Sequence, residues 1–538
     1  MSLIRVNKLT SHPLHTAAQT RSMEVALALR LPPHTLMQRA GLAVAKLACA
    51  IAPHAQSIWV ACGPGNNGGD GLEAALHLHA LAQKNGTMQN GNGIVVTWLG
   101  DETRCPPDAL ASLHRARAAG VNFVTEPPVR CDLAIDALLG LGVKNLPTGV
   151  MAQWLQHMQT NASVVLCVDL PSGLVADTGQ YLAADAHRNA NVNFNNAINN
   201  IAIQAINTTC LDQKDHFFCL SLLTLKPGLF TAQGQDAAGQ VWFDDLGASQ
   251  EDFAKDACAW VLGADRFKHS QRTHDSHKGS YGDLAIIGGA DGMTGAALLS
   301  ARASLNGGAG RVFVALLDGG SMRVDPVQPE LMFRPVSALV DIQVLRQTTV
   351  VCGCGGGDAV RQVLPAVLTY APRLVLDADA LNAIAQDTSL QAMLLARTKR
   401  KDLHLQKFQT ILTPHPLEAA RLLGCNAAHI QSNRLHAAQL LADQFACIVV
   451  LKGSGSIIAI PGQVPCINNT GNAKLATAGT GDVLAGMIAA MLAQGETAFQ
   501  SACTATYMHG QIADDWPELQ TLTASEMVKL GALLGKCN

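Results

Sequence analysis

Aromatic and charged side chains are scarce: Phe, Trp and Tyr together make 4% of the 538 residues, and Asp, Glu, Lys and Arg make 15%. With 41 acidic against 38 basic residues the net charge is −3, and no run of Lys or Arg builds a local positive field, so nucleic acid is excluded as an expected partner. No uninterrupted apolar stretch reaches the roughly 18–20 residues of a membrane span. The first 30 residues lack the apolar core and small-residue cleavage site of an export signal. A cytoplasmic protein with no membrane partner is the expectation. The 15 cysteines contain no C-x-x-C spacing; the closest pair, Cys352 and Cys354, has no second Cys/His pair beside it, so zinc is not expected. Several others sit in apolar stretches such as Val165-Leu166-Cys167-Val168, where Cys acts as a small core hydrophobe, and reduced thiols are expected.

What is present is a chain that is 48% hydrophobic with 48 glycines, the composition of a small-residue-rich α/β protein. Its length exceeds the roughly 250–300 residues at which one core stops growing, so two domains are expected. From Thr16 to Ala50 apolar positions recur at three and four residues, broken near Leu31-Pro32-Pro33, which predicts two helices. The apolar run Ser57 to Cys62 then predicts a buried strand entering a glycine loop, Gly63 to Gly71, before a helix from Leu72 to Gln83. Strands are also expected over Gly93 to Leu99, Leu133 to Asp136 and Val164 to Asp169, with intervals long enough for crossover helices.

From Asp185 to Asp215 an Asn-rich stretch breaks the rhythm and reads as a polar surface insertion. Regular sequence resumes at Leu220 and closes near Gly247. A fresh start follows: the strand Leu284 to Ile287 runs into Gly288-Gly289-Ala290-Asp291-Gly292-Met293-Thr294-Gly295, with later strands at Thr348 to Cys352, Leu374 to Asp377, Thr410 to Thr413 and Ile448 to Lys452. Arg397 to Lys407 reads as a second, smaller surface insertion. The fold class expected is α/β with two doubly wound parallel domains, residues 1–247 and 275–538, joined through 248–274.

In the second half, Ala478-Gly479-Thr480-Gly481-Asp482 directly precedes an apolar helix, Val483 to Leu492, so its amides can converge on an anion at a helix N-terminus. Asp482 would then take a proton from a substrate hydroxyl while the loop holds the transferring phosphoryl group. By itself the motif also fits a tight turn with a capping Asp. Lys452-Gly453-Ser454-Gly455-Ser456 can wrap nucleotide phosphates, and Asn382 follows Asp377-Ala378-Asp379 at another strand's carboxyl end, where ligands bind in open α/β sheets.

These loops, with Gly288 to Ala296, Gly353 to Gly357 and Thr413-Pro414-His415-Pro416-Leu417-Glu418-Ala419, resemble the ADP-dependent dehydratases of hydrated NADH and NADPH, members of the ribokinase-like superfamily. The resemblance covers about 275–538. It implies that Ala296, Gly355, His415 and Asp482 contact the hydrated nucleotide, and that Lys452, Gly453, Ser454, Gly455, Ser456 and Gly481 hold ADP, with Mg2+ assisting. Two positions depart from the family pattern: Cys354 stands where Pro is usual, and Leu417 where Gly is common. Neither is expected to touch an assigned catalytic atom.

In the first half, Gly63 to Gly71 is neither a Walker A loop nor a dinucleotide fingerprint, because Asn66, Asn67 and Asp70 replace the required spacing. Its amides and carboxylate suit a ligand with phosphate and ring functions or a monovalent cation, although an ordinary strand-to-helix turn reads the same way. With Asp136 to Gly142, Val168 to Gly173, Arg21-Ser22-Met23-Glu24 and Lys226-Pro227-Gly228, it resembles the NAD(P)H-hydrate epimerase domain over about 1–247. That resemblance implies a Rossmann-like sheet. It implies hydrate binding by Asn66, Asn67, Gly68, Gly69, Asp70, Gly140, Leu141, Gly142, Val143, Lys144, Asn145, Leu146 and Asp169. Asp169 would serve as the acid/base group, and Asn67, Asp136 and Ser172 as potassium (K+) ligands. Leu141 departs from the Thr usual there.

Together the resemblances imply metabolite repair: epimerisation of the R and S hydrates (NADHX and NADPHX), then dehydration of the S form with ADP, giving AMP and phosphate. A homo-oligomer is the expected assembly. Two other readings stay open, an ATP-dependent kinase of a hydroxymethylated vitamin precursor, and a ribokinase-like small-molecule kinase fused to a ligand-binding module without catalysis.

Overall fold

The computed structural model describes residues 3–85, 93–143, 145–181, 216–249, 256–267, 274–320, 322–399 and 409–531. The Asn-rich stretch 185–215 and residues 400–407 of the smaller insertion lie outside them, as does Lys144. The chain divides into two compact units, Met1–Asn7 with Pro13–Cys258, and Lys8–His12 with Ala259–Asn538.

The strands in chain order are β1 (Ile4–Arg5), β2 (His12–Leu14), β3 (Ile58–Cys62), β4 (Ile94–Trp98), β5 (Asn122–Phe123), β6 (Cys131–Ala137), β7 (Ala162–Val168), β8 (Phe217–Leu222) and β9 (Gln240–Asp244). They continue with β10 (Ala259–Val261), β11 (Asp283–Gly288), β12 (Arg311–Leu316), β13 (Met332–Phe333), β14 (Thr349–Cys352) and β15 (Arg373–Leu376). The last are β16 (Thr410–Leu412), β17 (Ile448–Leu451), β18 (Ile457–Ala459) and β19 (Cys466–Ile467).

One sheet has the order β1-β9-β8-β7-β6-β3-β4-β5. It is parallel apart from the β1–β9 pair. Chain order runs outward from β3 through β5 on one side and from β6 through β9 on the other, so the topological switch lies between β3 and β6. Every residue of β3 is buried, the continuous apolar run of a strand covered on both faces. Trp59 fits there because its indole N–H donates to Thr97 Oγ1 at 2.9 Å and its ring meets Trp154 edge-on at 6.2 Å, so its one polar atom is satisfied while its area stays out of water.

The other sheet has the order β13-β12-β11-β14-β15-β16-β17-β18-β19-β10-β2. It is parallel from β13 to β17, with its switch between β11 and β14, and β18 pairs antiparallel to β17 and β19. Two apolar helices, Thr294–Asn306 and Thr480–Ala493, pack on each other within this unit's core. The expected strand positions agree with these spans to within a few residues, and the two expected N-terminal helices are Ala17–Ala28 and Thr35–Ile51.

One local expectation is corrected. The helix after β3 begins at Asn66, so Asn66 to Gly71 form its first turns and only Gly63 to Gly65 remain as loop. Asn and Gly are weak helix formers, but close packing overrides propensity here. A Cβ at Gly68 would lie 2.0 Å from Gly63 O, and one at Gly63 would lie 1.8 Å from Leu138 O.

Candidate functional site

At the first unit's switch point, Asp136 ends β6 in a closed hydrogen-bond set. Its carboxylate accepts from Ser172 Oγ at 2.6 Å, Ser172 N at 3.0 Å and Leu138 N at 3.2 Å, while Leu139 N donates to Ser172 Oγ at 2.8 Å. Burial raises the Asp136 carboxyl and the Ser172 bonds oppose that shift. Asn67 reaches the same turn: a Cβ on Gly140 would be 2.9 Å from its Oδ1, and its Nδ2 is buried with no partner among the described residues.

Asp169 follows β7 with φ +65, a left-handed geometry that Asp tolerates better than most residues. This turns its Oδ1 to accept from Leu222 N at 3.0 Å and from the fully buried Lys226 ammonium, which also donates to Leu222 O at 2.8 Å. Around the pair, burial first and Asp169 second raise the carboxyls of Asp70 and Glu24. Burial and a neighbouring carboxylate thus both disfavour the charged form of these two acids.

Of the other expected contacts, Gly68 and Gly69 are buried in the first helical turns, and Asn66 is exposed there. Leu141 is held by its carbonyl, which accepts from Arg21 Nη2 at 2.7 Å. Gly142, Asn145 and Leu146 are exposed along the following turn and Val143 is half-buried. Lys226 is quoted in the sequence motif, but its role as the ionic partner of Asp169 is not readable there, because the two lie 57 residues apart.

In the second unit the groups meet across four strand ends. Gly479, at φ +90, is the N-cap of the helix Thr480–Ala493 and puts Asp482 in its first turn, where helix amides lack intrahelical partners. Lys452 Nζ lies 2.7 Å from Asp377 Oδ1 and 3.9 Å from Glu418 Oε2, and would be 3.3 Å from a Cβ on Gly481. Burial pulls the Lys452 ammonium down, but Asp377 and then Glu418 outweigh it and hold the ammonium above its usual value. Burial, then Asp377, lifts Asp482 to about 6. Glu418 rises to about 7, from burial against the pull of Lys452.

His415 closes a capping box on the helix Pro416–Leu423: its Nδ1 accepts from Leu417 N at 3.1 Å and Glu418 N at 3.3 Å, and Glu418 Oε2 accepts from His415 N at 2.7 Å. This leaves Nε2 on the outer side, 3.2 Å from Glu418 Oε1. Ala296 and Gly355 stand together, since a Cβ on Gly355 would be 3.0 Å from Ala296 Cβ. In the turn from β17 to β18, Gly453 and Ser454 are exposed, Gly455 is buried, and Ser456 Oγ donates to Gly453 O at 3.1 Å.

Three supporting side chains escaped sequence reasoning. Arg434, fully buried, donates to Lys452 O at 3.2 Å, and a Cβ on Gly453 would meet its Nη1 at 2.8 Å. His509 donates from Nε2 to Thr480 O at 2.9 Å, and burial lowers it to about 4, so it is neutral at pH 7. The third is Cys354. The expectation that it stays clear of any assigned catalytic atom fails: its sulfur and one oxygen each of Asp377 and Asp482 lie within 4.8 Å of one another.

A family model described as NAD(P)H-hydrate dehydratase matches residues 284–532, and one described as YjeF-related protein N-terminus matches 33–205. The bifunctional NAD(P)H-hydrate repair enzyme Nnr of Escherichia coli K12 is 33% identical over 512 residues, covering 91% of this chain and 87% of that protein. This chain belongs to the bifunctional NAD(P)H-hydrate repair enzyme family. The ADP-dependent (S)-NAD(P)H-hydrate dehydratase of Neisseria meningitidis serogroup B is 41% identical over 254 residues, 46% of this chain and 82% of that one. A solved ADP/ATP-dependent NAD(P)H-hydrate dehydratase from Bacillus subtilis is 31% identical with a TM-score of 0.40, covering 49% of this chain and 93% of its own. In this repair-enzyme family member the second cluster lies within the matched residues 284–532, while of the first cluster Asn67, Asp70, Asp136, Asp169 and Ser172 lie within 33–205 and Glu24 and Lys226 outside it. Among the described residues of this repair enzyme the cysteines are free thiols, and no helix is long and apolar enough to cross a membrane.

Proposed function

We propose that the second unit dehydrates the S hydrate of NADH or NADPH at the expense of ADP, and that the first unit interconverts the R and S hydrates. The observation that carries this is the meeting of Asp482, at a helix N-terminus, with Lys452 beside Gly481. A carboxyl that can accept a proton and an ammonium that can hold an anion, from two separate segments, support this reading, in the half of the chain 41% identical to an ADP-dependent dehydratase. Family membership favours this reading over a vitamin-precursor kinase.

Asp482 takes the proton of the C6 hydroxyl as its oxygen bonds to the β-phosphorus of ADP and the bond to the bridging oxygen breaks, releasing AMP. The ring nitrogen's lone pair then expels phosphate from C6, a proton leaves C5, and the reduced ring is restored. Lys452 and the loop amides balance the phosphate charge through the transfer. Mg2+ would supply further neutralisation on the phosphates. Asp377 is engaged by Lys452 and Glu418 by the His415 backbone, which leaves Asp379, bonded to Gly357 N at 2.8 Å and only distantly to Asn382 at 3.5 Å, as the carboxylate with lone pairs to spare for it.

In the first unit, Asp169 would move the proton that lets the C6 hydroxyl leave or the ring open and reclose, with Lys226 holding it oriented. The oxygens of Asp136 and Ser172, with the Asn67 amide oxygen at the neighbouring Gly140 turn, form a hard donor set that suits K+. The test is recovery of NADH absorbance at 340 nm from both hydrate epimers, with ADP or ATP. Full recovery with ADP, abolished in Asp482→Ala and reduced to a slow second phase in Asp169→Ala, is expected. No recovery with either nucleotide would overturn the proposal.

A further inference from the structure

Between Gly353 and Gly357 one residue carries a side chain, Cys354. Positive φ values of 120, 58 and 52 at Gly353, Gly355 and Gly357 coil this stretch tightly after β14. It is pinned where it lies by Gly289 N donating to Cys354 O at 3.0 Å, Ala290 N to Gly355 O at 2.6 Å and Gly356 N to Gly353 O at 3.0 Å. The thiol therefore has a fixed direction. It is fully buried, and its sulfur lies with the carboxylates of Asp482 and Asp377 inside a 4.8 Å cluster. Nearby on the helix Thr294–Asn306 is Ser300, a fully buried hydroxyl with no hydrogen-bond partner among the described residues.

We propose that Cys354 is a positioning residue for phosphoryl transfer: its S–H donates to the Asp482 carboxylate and holds it in the orientation from which it takes the substrate hydroxyl's proton. The inference rests on the dehydratase reading above. The direction of donation is settled by chemistry, because burial and the two carboxylates push the thiol well above its usual range, so the sulfur keeps its proton and Asp482 accepts it. A carboxylate gripped on one oxygen loses rotational freedom and presents the other to the substrate.

Asp482 is faced by Asp377 and Asp379 from beyond β15, by Lys452 from beyond β17 and by Cys354 from beyond β14. The helix Thr294–Asn306 contributes the uncharged Ser300, and the helix Ala498–Asp515 contributes His509, neutral and held on Thr480 O. Of these, Cys354 is the group whose removal withdraws a donor from the Asp482 carboxylate without changing any formal charge.

The experiment compares the full-length enzyme with Cys354→Ala, Cys354→Ser and Cys354→Pro, reading kcat, KM for ADP and the acid limb of kcat/KM on the S hydrate. In Ala and Pro, kcat is expected to fall about 5–20-fold with KM for ADP within about twofold, the signature of a lost transition-state orientation. Their acid limb should move up by roughly half a pH unit or more, because a hydrogen bond to the charged form has been removed. Cys354→Ser, nearly isosteric and a better donor, should restore kcat and return the limb to or below the wild-type position. An active wild type whose acid limb is shared by all three variants, or a Ser variant no better than Ala, would overturn the role of Cys354 alone. A wild type inactive with ADP would instead remove the dehydratase reading, and this inference with it.

Discussion

Lys452 Nζ lies 2.7 Å from Asp377 Oδ1, and the same ammonium stands against Gly481 of the anion loop. One charge therefore neutralises a buried carboxylate and faces the place where phosphate would sit. Replacing Lys452 by Met should cost about 3–5 kcal/mol, because Asp377 is left buried and uncompensated. Urea denaturation should show this as a lower midpoint for the second unit. Adding Asp377→Asn should recover most of the stability but not the affinity for ADP, and equal losses in the single and double variants would contradict the pairing.

The Asp482 carboxyl is lifted to about 6, first by burial and then by Asp377. A proton acceptor must be ionised, so activity is present above that value and lost as pH falls through it. The expected profile of kcat/KM for dehydration falls about tenfold per unit below its acid limb. Asp482→Asn should flatten the limb and lower kcat by about 10²–10⁴ while ADP binding, followed by calorimetry, survives. A limb that persists in the Asn variant would assign it to another group.

Asp169 and Lys226 form the corresponding pair in the first unit, with the lysine fully buried. Asp169→Ala leaves that ammonium alone and should destabilise the unit by about 3–5 kcal/mol, whereas Asp169→Asn keeps an acceptor and should cost less. Both should abolish epimerisation. Dehydration of the separated S epimer should continue in Asp169→Asn, and its loss would point to a role for Asp169 beyond epimerisation.

Potassium dependence should divide the two activities. Exchange of K+ for tetramethylammonium is expected to slow epimerisation about tenfold or more and to leave dehydration unchanged. Ser172→Ala, which removes a donor to Asp136, should weaken the K+ response when the epimerisation rate is titrated against the cation. A K+ effect confined to dehydration would contradict the assignment of Asn67, Asp136 and Ser172.

Residues Lys8–His12 belong to the second unit although they lie near the start of the chain. Ser11 Oγ donates to Asp265 Oδ1 at 2.7 Å, Ser11 N donates to the same carboxylate at 3.0 Å, and Lys8 pairs with Asp514 at 2.6 Å. Removing Asp265 as an acceptor, in Asp265→Ala, should lower the stability of the second unit by about 1–3 kcal/mol in chemical denaturation. A fragment beginning at Ala259 should be less stable than one with residues 8–12 supplied as a peptide, and indifference to the peptide would contradict the strap.

Much of this was legible because the signals are local. Buried parallel strands read as continuous apolar runs, as at Ile58–Cys62 and Ile448–Leu451, and the glycine loops follow them directly. The start of the helix at Asn66 is not legible because Asn-Asn-Gly-Gly is weak in intrinsic helix propensity, and only the close approach of Gly68 to Gly63 and of Gly63 to Leu138 explains why glycine stands at those two places. The position of Cys354 against Asp482 is not legible in the sequence, since a sequence does not show which way a side chain leaves a coiled glycine loop.

By itself the sequence determined the α/β class, the places where strands end, and the residue types that phosphate, hydroxyl and cation chemistry need at those ends. Tertiary structure alone decided which of them meet. Lys452 faces Asp377 across 75 residues, Lys226 faces Asp169 across 57, and Cys354 faces Asp482, because parallel crossovers return distant loops to the same edge of a sheet. The fold also sets two of the shifts: burial and then Asp377 raise the Asp482 carboxyl, while Asp377 and then Glu418 hold the Lys452 ammonium up against burial.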